Sequence, residues 1–260
     1  MSPRDALPHI GCAHLRCSFL TPYKVGELGC DNDTVVKYVM LTSLLFRCIS
    51  SLSCRPCRTL SQISPFVFTN GVLPLMKKTA LDPSSDVRIV IVTSATYTLI
   101  EEAQFATKED LNVSYEGERF ESMKRYARSK LLNILWKREL VRRLSLSTED
   151  GGSNIIVVSL YPGGVYTEGL QSTFPGIFPG ILQKLVAVFI KYTSLSPAEG
   201  AYNSTFAAAS PLVRQEKEKY NGAYLVPGQK IAKLTGLALD DQLAKDLWEL
   251  QERILKEEGV

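Results

Sequence analysis

The chain has 260 residues, of which 45% are hydrophobic and 22% are charged, and these values exclude wholesale disorder and collagen-like or low-complexity classes. Its 30 basic and 27 acidic residues nearly balance, and no block of five Lys or Arg occurs, so no nucleic-acid binding is predicted. The longest apolar run, Leu185–Ile190, is far shorter than the roughly 20 residues of a membrane span. We expect a soluble, cytoplasmic protein with one large α/β domain or at most two small ones.

The N-terminal segment differs in composition from the rest of the chain. All six cysteines and both histidines lie within the first 57 residues, and the start lacks the apolar core of a secretory signal, so a disulfide framework is not expected. Cys54 and Cys57 with His9 and His14 could ligate zinc, but a second close Cys or His pair at finger-like spacing is missing. We therefore favour free thiols, predict no metal site, and treat residues 1–62 as an atypical N-terminal segment.

From residue 63 onward the pattern alternates between helices and strands. A helix over Pro65–Ala80, interrupted at Pro74, precedes Val87–Thr93, which is a nearly continuous run of β-branched residues. Such a run is typical of a strand buried on both faces of a parallel sheet. The later elements are predicted as the helix Glu121–Leu144, the strand Ile155–Leu160, the helices Ile181–Lys191 and Pro197–Ala209, the strand Gly222–Val226 and the helix Leu239–Ile254. This order predicts an α/β Rossmann-like fold, a doubly wound parallel sheet whose N-terminal strands are incomplete.

Tyr126 and Lys130 are the first candidates for chemistry. They lie four residues apart on the predicted helix Glu121–Leu144, so the ammonium can sit beside the phenol. A nearby cation favours phenolate and lowers the tyrosine pKa, which suits a proton donor and acceptor for alcohol–carbonyl interconversion. The alternative is an ordinary surface pair, which is common on helices.

Two further candidates follow the two buried strands. Ser94 comes directly after the first strand, where ligands of open α/β sheets bind and where a hydroxyl can polarise a carbonyl oxygen. The run Pro162–Thr167 follows the second strand, and its glycines would let a flat ligand approach the backbone. The alternatives are a turn serine and a simple strand-to-helix turn.

Together these motifs resemble the classical short-chain dehydrogenase/reductase family over about Ile63–Val226. The matching features are the helix Phe66–Ala80, the strand ending at Ser94, the Tyr126-x-x-x-Lys130 motif and the Pro162-Gly163-x-Val165-x-Thr167 motif. The spacing of Ser94 and Tyr126 and the run after Tyr126 resemble the retinol-dehydrogenase-like enzymes and their fungal relatives. Residues 63–260 are therefore identified as the catalytic portion of a single Rossmann-like domain.

The resemblance implies an NAD(P)-dependent oxidoreductase that acts on CH–OH groups, with NADP or NAD as cofactor. Tyr126 would be the general acid/base, Lys130 would lower its pKa and hold the nicotinamide ribose, and Ser94 would orient the carbonyl. The residues implied to bind the cofactor are Tyr126, Lys130, Pro162, Gly163, Val165 and Thr167. The apolar segment Leu170–Lys191 would cover a lipophilic substrate, and relatives are often homo-oligomers.

The sequence also departs from the family. The family's Thr-Gly-x-x-x-Gly-x-Gly turn, which cradles the pyrophosphate at a helix N-terminus, does not occur, because Gly26 and Gly29 have the wrong spacing. The Asn-Asn-Ala-Gly motif is also absent, and the family's catalytic asparagine falls on Ser61. The rival interpretation is therefore a catalytically impaired or truncated derivative with a misassembled N-terminus. A third, membrane association through Ile181–Lys191, rests here on apolar character alone.

Overall fold

A computed structural model describes residues 37–40, 57–165 and 180–258. In these ranges one sheet has five strands in the order β1-β2-β3-β4-β5. The strands are β1 Lys37–Met40, β2 Val87–Val92, β3 Ile156–Leu160, β4 Tyr224–Val226 and β5 Lys230–Ile231. The strands β1 to β4 pair in parallel, and β5 pairs antiparallel with β4. The predicted parallel α/β fold is confirmed, and so is the adjacency of β2, β3 and β4.

Seven helices accompany the sheet within the described ranges. They are α1 Cys57–Ala80, α2 Glu121–Leu146, α3 Gly180–Thr193, α4 Pro197–Ala209, α5 Pro211–Gln215, α6 Lys217–Tyr220 and α7 Asp241–Glu258. The helix α1 begins before the predicted Pro65 and continues through Pro74, where an interruption was expected. None of the described helices is long and apolar enough to cross a membrane.

The side chains of β2 and β3 alternate between two hydrophobic layers. Ile89 and Val157 pack with α1, α2 and α7, whereas Val90 and Val158 pack with residues of α4 to α6. Successive residues of a strand point to opposite faces, so an apolar strand needs cover on both sides. The continuous apolar character of these strands follows from helices on both faces, as in a doubly wound fold.

The strand β1 pairs with β2 on the side away from β3. With incomplete N-terminal strands, this edge of β2 would have been left without a neighbour. Lys37 is opposite Val87 and Met40 is opposite Val90 in a parallel register. Lys37–Met40 lies in the segment before residue 63, for which no element is predicted from the sequence. The division near residue 62 falls inside α1 and stays a prediction.

Aromatic and polar contacts fix the position of α2 on the sheet. Phe66 of α1 meets Trp136 of α2 and Trp248 of α7 edge-on, with ring centroids 6.4 Å and 5.0 Å apart. Further along α2, the buried Lys137 Nζ donates a hydrogen bond of 2.6 Å to the carbonyl oxygen of Gly222, just before β4. Because buried polar groups need partners, this bond fixes the rotation of α2 about its axis.

Candidate active site

Ser94 lies at the carboxyl end of β2, where it begins a short 3-10 segment over Ala95–Leu99. Its Oγ accepts hydrogen bonds from the Thr96 backbone N–H, at 3.3 Å, and from Thr96 Oγ1, at 3.1 Å. The side chain is buried and caps the segment, so its position is fixed by local structure. Because Oγ already accepts two bonds, the hydroxyl proton of Ser94 is available for donation.

Tyr126 and Lys130 face Ser94 from successive turns of α2. Lys130 Nζ lies 5.4 Å from the centroid of the Tyr126 ring and donates a long hydrogen bond of 3.5 Å to the carbonyl oxygen of Val92. The Ser94 hydroxyl lies close enough to the Tyr126 phenol to lower the pKa of that phenol. The structure thus brings the three predicted catalytic side chains together at the carboxyl edge of the sheet.

The proton affinities of this pair differ from the expectation based on spacing. Burial raises the pKa of Tyr126, the hydrogen bond with Ser94 lowers it, the neighbouring Tyr161 raises it, and the net direction is upward. Burial also lowers the pKa of Lys130 to about 8. The expected lowering of the tyrosine pKa is therefore wrong here, because desolvation of the phenol outweighs the effect of Ser94. Without a ligand, Tyr126 is a protonated acid at neutral pH.

The loop after β3 contains two glycines with different surroundings. Gly163 has a φ of +98°, and a Cβ there would lie 2.5 Å from Leu195 Cδ1. A Cβ on Gly164, in contrast, would meet no heavy atom of the described residues within 4 Å. Gly163 is therefore required for packing against Leu195, and Gly164 is the glycine that leaves the backbone open to a ligand.

The predicted cofactor residues Pro162 and Val165 belong to this same loop. Val165 forms an isolated parallel bridge with Leu195, and a Cβ on Gly200 of α4 would lie 2.3 Å from Val165 Cγ2. Val165 therefore fixes the loop against α4. Thr167 lies outside the described residues, so its contact with a nicotinamide stays a prediction, as does the cofactor role of Pro162.

Sequence reasoning missed two other tyrosines at this edge. Tyr161 directly follows β3 and interacts electrostatically with Tyr126, and burial raises its own pKa. Tyr224 lies in β4, where burial raises its pKa far above the usual range, and its ring meets Tyr97 edge-on at 6.0 Å. Their positions at or just beyond strand ends were the available signal. The edge is consequently rich in phenols that stay protonated.

A buried asparagine holds part of this edge in place. Asn203 of α4 donates through Nδ2 to the Tyr161 carbonyl oxygen at 3.2 Å, and its Oδ1 accepts from the Gln229 N–H at 3.1 Å. It thereby joins α4, the end of β3 and the turn between β4 and β5. Nothing in its sequence surroundings marks Asn203, because its two partners are brought near it only by the fold.

A large groove lies away from the candidate site and is not lined by Ser94, Tyr126 or Lys130. It has a volume of about 970 Å³ and lies among the C-terminal turns of α1 and α2, with Leu73, Lys77, Leu144 and Trp248 among its lining residues. Tyr126 and Lys130 belong to the N-terminal part of α2, several turns away. The size of a concavity is therefore a poor guide to the chemistry in this fold.

The residues at the sheet edge fit the nicotinamide half of NAD(P). An ammonium has three donors, and the hydrogen bond described for Lys130 Nζ is long, so capacity remains for ribose hydroxyls. The open side of Gly164 leaves room for a flat ring. In the described ranges we identify no group for the pyrophosphate. As for metals, no cluster of ligating side chains occurs in the ranges described, while His9, His14 and Cys54 of the zinc alternative lie outside them.

Several curated proteins are similar to this chain, although no family model matches it. A short-chain dehydrogenase/reductase of Macrophomina phaseolina is 34% identical over 165 residues, which are 62% of this chain and 75% of that protein. One of Armillaria gallica is 33% identical over 199 residues, 76% of this chain and 60% of that protein. Retinol dehydrogenase 14 of Mus musculus is 34% identical over 193 residues, 74% of this chain and 50% of that protein.

The chain belongs to the short-chain dehydrogenase/reductase family, and its similarity is to members of the fungal and retinol-dehydrogenase-like kind. The resemblance found in the motifs is thereby confirmed. The chain spans 60% of the Armillaria relative and half of retinol dehydrogenase 14. Similarity to solved structures is weaker: the NADPH-bound carbonyl reductase from chicken fatty liver has a TM-score of 0.39 at 17% identity, over 78% of this chain and 64% of that one.

Proposed function

We propose that the chain is an NAD(P)-dependent oxidoreductase that interconverts an alcohol and a carbonyl on a lipophilic small molecule. The observation that carries the proposal is that Ser94 at the end of β2, Tyr126 and the buried Lys130 lie together, with Lys130 Nζ 5.4 Å from the Tyr126 ring centroid. Relatives named dehydrogenases and reductases support the reaction class. The name of one of these relatives, retinol dehydrogenase 14, supports a lipophilic substrate.

Each of the three side chains has a separate task in this proposal. When bound, the nicotinamide supplies or accepts the hydride. Ser94, whose Oγ already accepts two bonds from Thr96, turns its hydroxyl proton to the carbonyl oxygen and holds that oxygen beside Tyr126. Tyr126 protonates that oxygen in reduction and accepts the proton in oxidation. Since its pKa is raised, the phenol is in the form that reduction requires at neutral pH.

Lys130 acts on the cofactor and on the field around Tyr126. Its ammonium is buried close to the phenol ring, so a small change in its surroundings alters its protonation near pH 8. Ribose hydroxyls that accept hydrogen bonds from Nζ would favour the charged form of Lys130. A charged Lys130 would in turn lower the pKa of Tyr126 when the cofactor is bound.

The test is turnover at millimolar NADPH or NADH with a panel of lipophilic aldehydes and ketones. We expect reduction that falls at least about 1000-fold in Tyr126→Phe, because the proton donor is lost. The matched control is Tyr202→Phe, which removes an exposed phenol from α4 and should leave turnover unchanged. Equal rates for Tyr126→Phe and the parent protein would contradict the proposal.

The rival function is a binding or scaffold role without turnover. The observation that favours it is the lack of the family's Gly-rich turn anywhere in the 260 residues. Nicotinamide fluorescence on titration with NADH and NADPH distinguishes the two. If neither NADH nor NADPH binds at millimolar concentration, the result favours the rival function.

A further inference from the structure

The helix α3 presents a stripe of large apolar side chains to solvent. The stripe, which we call the outer face of α3, consists of Ile181, Leu185, Val188, Phe189 and Tyr192. Each of these residues is between 55% and 80% exposed. Their spacing places them on one side of the helix, so they form one continuous apolar stripe along its length. Five large apolar side chains exposed together on one helix face mark an interaction surface.

The opposite side of α3 attaches it to the rest of the protein. Ile190 is the buried residue among those of α3 whose side chains the structure describes, and its position in the helix is opposite Ile181 and Tyr192. Because α3 is anchored through Ile190, the outer face is directed away from the body. A substrate lid would instead need its main apolar face directed inward.

The charges of α3 indicate which partner fits the outer face. Lys184 and Lys191 are exposed, lie seven residues apart and therefore follow one border of the stripe. The helix contains no Asp or Glu. An apolar stripe bordered by lysines is complementary to the acyl chains and anionic headgroups at a bilayer surface.

We propose that the outer face of α3 docks on the surface of a bilayer that contains anionic lipids. The helix has 14 residues and is about 21 Å long, too short for a hydrocarbon core of about 30 Å, so it would lie in the interface. Phe189 and Tyr192 would enter the headgroup boundary, and the lysine ammonium groups would contact lipid phosphates. The proposal is independent of the catalytic assignment.

A second copy of the chain fits the outer face less well. A two-fold pair of antiparallel α3 helices would place Lys184 of one copy near Lys191 of the other. Since α3 carries no acidic residue, these charges would stay unbalanced at the border of the contact. A bilayer with anionic headgroups balances the same charges.

The experiment is flotation of the full chain with vesicles. One set is phosphatidylcholine alone, and the other is three parts phosphatidylcholine to one part phosphatidylserine. We expect binding to the mixed vesicles and much weaker binding to the neutral ones. Changing both Lys184 and Lys191 to Gln should weaken binding to the mixed vesicles about 30-fold, and L185E/F189E should abolish it. The matched control L75E/L146E changes two exposed leucines of α1 and α2 and should bind like the parent chain.

Three outcomes would overturn the proposal. The first is a parent chain that floats with neither vesicle, and the second is an L185E/F189E variant that floats like the parent. The third is a dimer in solution that L185E/F189E separates while vesicle binding is absent, which would assign the face to a second copy. Circular dichroism of each variant shows whether it is folded, so loss of docking can be told from loss of folding. The double Gln variant provides a second test, because both of its changes are at exposed side chains. Activity is not a readout, so failure here leaves the proposed reaction untouched.

Discussion

Ser94 controls how readily Tyr126 gives up its proton, because its hydrogen bond is the one interaction described that lowers the pKa of this phenol. We expect Ser94→Ala to raise the pKa of Tyr126 further and to lower kcat/KM for carbonyl reduction about 100-fold. In alcohol oxidation, the limb of the pH–rate profile that reports the phenolate should move to higher pH. The measurement is the profile at millimolar cofactor.

The control for this change is Ser145→Ala, which removes an exposed hydroxyl from α2 and should leave the profile in place. An unchanged limb in Ser94→Ala would mean that Ser94 acts on the substrate alone. A lower kcat with an unchanged limb would show that Ser94 polarises the carbonyl without changing the pKa of Tyr126.

Lys130 is expected to reduce stability at neutral pH, because its ammonium is buried and the one hydrogen bond described for it, to the Val92 carbonyl oxygen, is long. In the unfolded chain a lysine keeps its proton up to a pKa of 10.5, whereas in the folded protein burial lowers the pKa of Lys130 to about 8. The penalty is therefore complete below pH 8 and fades as the pH rises from 8 to 10.5. Over that window the free energy of unfolding rises.

We predict that Lys130→Met increases the free energy of unfolding at pH 7 by one to at most about 3 kcal/mol while it abolishes turnover. The gain should shrink above pH 8. Denaturant unfolding from pH 6 to pH 10.5 measures both effects. The control is Lys78→Met, which removes an exposed lysine from α1 and should change the free energy of unfolding by less than about 0.5 kcal/mol over the same pH range. A destabilised Lys130→Met at pH 7 would refute the argument.

At the scale of elements, the loop after β3 depends on one of its two adjacent glycines. Gly163→Ala would force a side chain into a backbone with a φ of +98° and against Leu195 Cδ1. We expect a loss of about 1–3 kcal/mol in the free energy of unfolding, measured by urea titration. Gly164→Ala, the control, should change it by less than about 0.5 kcal/mol because the space is open. Similar losses in both variants would show that the loop is constrained in another way.

The strongest elements were predictable because burial on both faces leaves a simple pattern. β2 and β3 were placed within a residue of their bounds, since nearly every position is β-branched or apolar. The start of α1 was missed, because the residues from Cys57 to Pro65 have no apolar period and a proline reads as a boundary. The two-residue strand β5 carries no pattern at all and exists through its pairing with β4.

The sequence was sufficient to predict which residues lie together at the candidate site, but it was not sufficient to predict their pKa values. Ser94, Tyr126 and Lys130 were identified by their positions at a strand end and on one helix face. The direction of the Tyr126 pKa was not, because desolvation depends on everything that packs around the phenol. Tyr161 and Asn203 were missed for the same reason, since their partners are distant in sequence.

At the scale of the whole molecule, the candidate site would account for one end of the cofactor. In the proposed function, Ser94, Tyr126, Lys130 and Gly164 would contact the substrate, the nicotinamide and its ribose. The family's phosphate-binding turn has no counterpart in the sequence. The chemistry and the binding energy of such an enzyme come from different parts of the fold, because remote contacts are used to orient the reacting centre.

We therefore predict that the 260-residue chain has weak dehydrogenase activity or none at micromolar cofactor, although the three predicted catalytic side chains lie together. Charge-assisted hydrogen bonds to a pyrophosphate contribute roughly 1.5–3 kcal/mol each. Losing two of them weakens cofactor affinity by about two to four orders of magnitude. A site of ordinary micromolar affinity would then require millimolar cofactor.

The measurement is kcat/KM for NADPH and NADH, each varied from micromolar to millimolar, with lipophilic aldehydes and ketones as substrates. We expect saturation only at the upper end, with residual turnover that disappears in Tyr126→Phe. Saturation at micromolar cofactor, with turnover that vanishes in the same variant, would contradict the prediction. It would mean that residues outside the described ranges provide a phosphate site of a different sequence, because neither Lys130 nor Gly164 is placed to hold a pyrophosphate as well as the nicotinamide end.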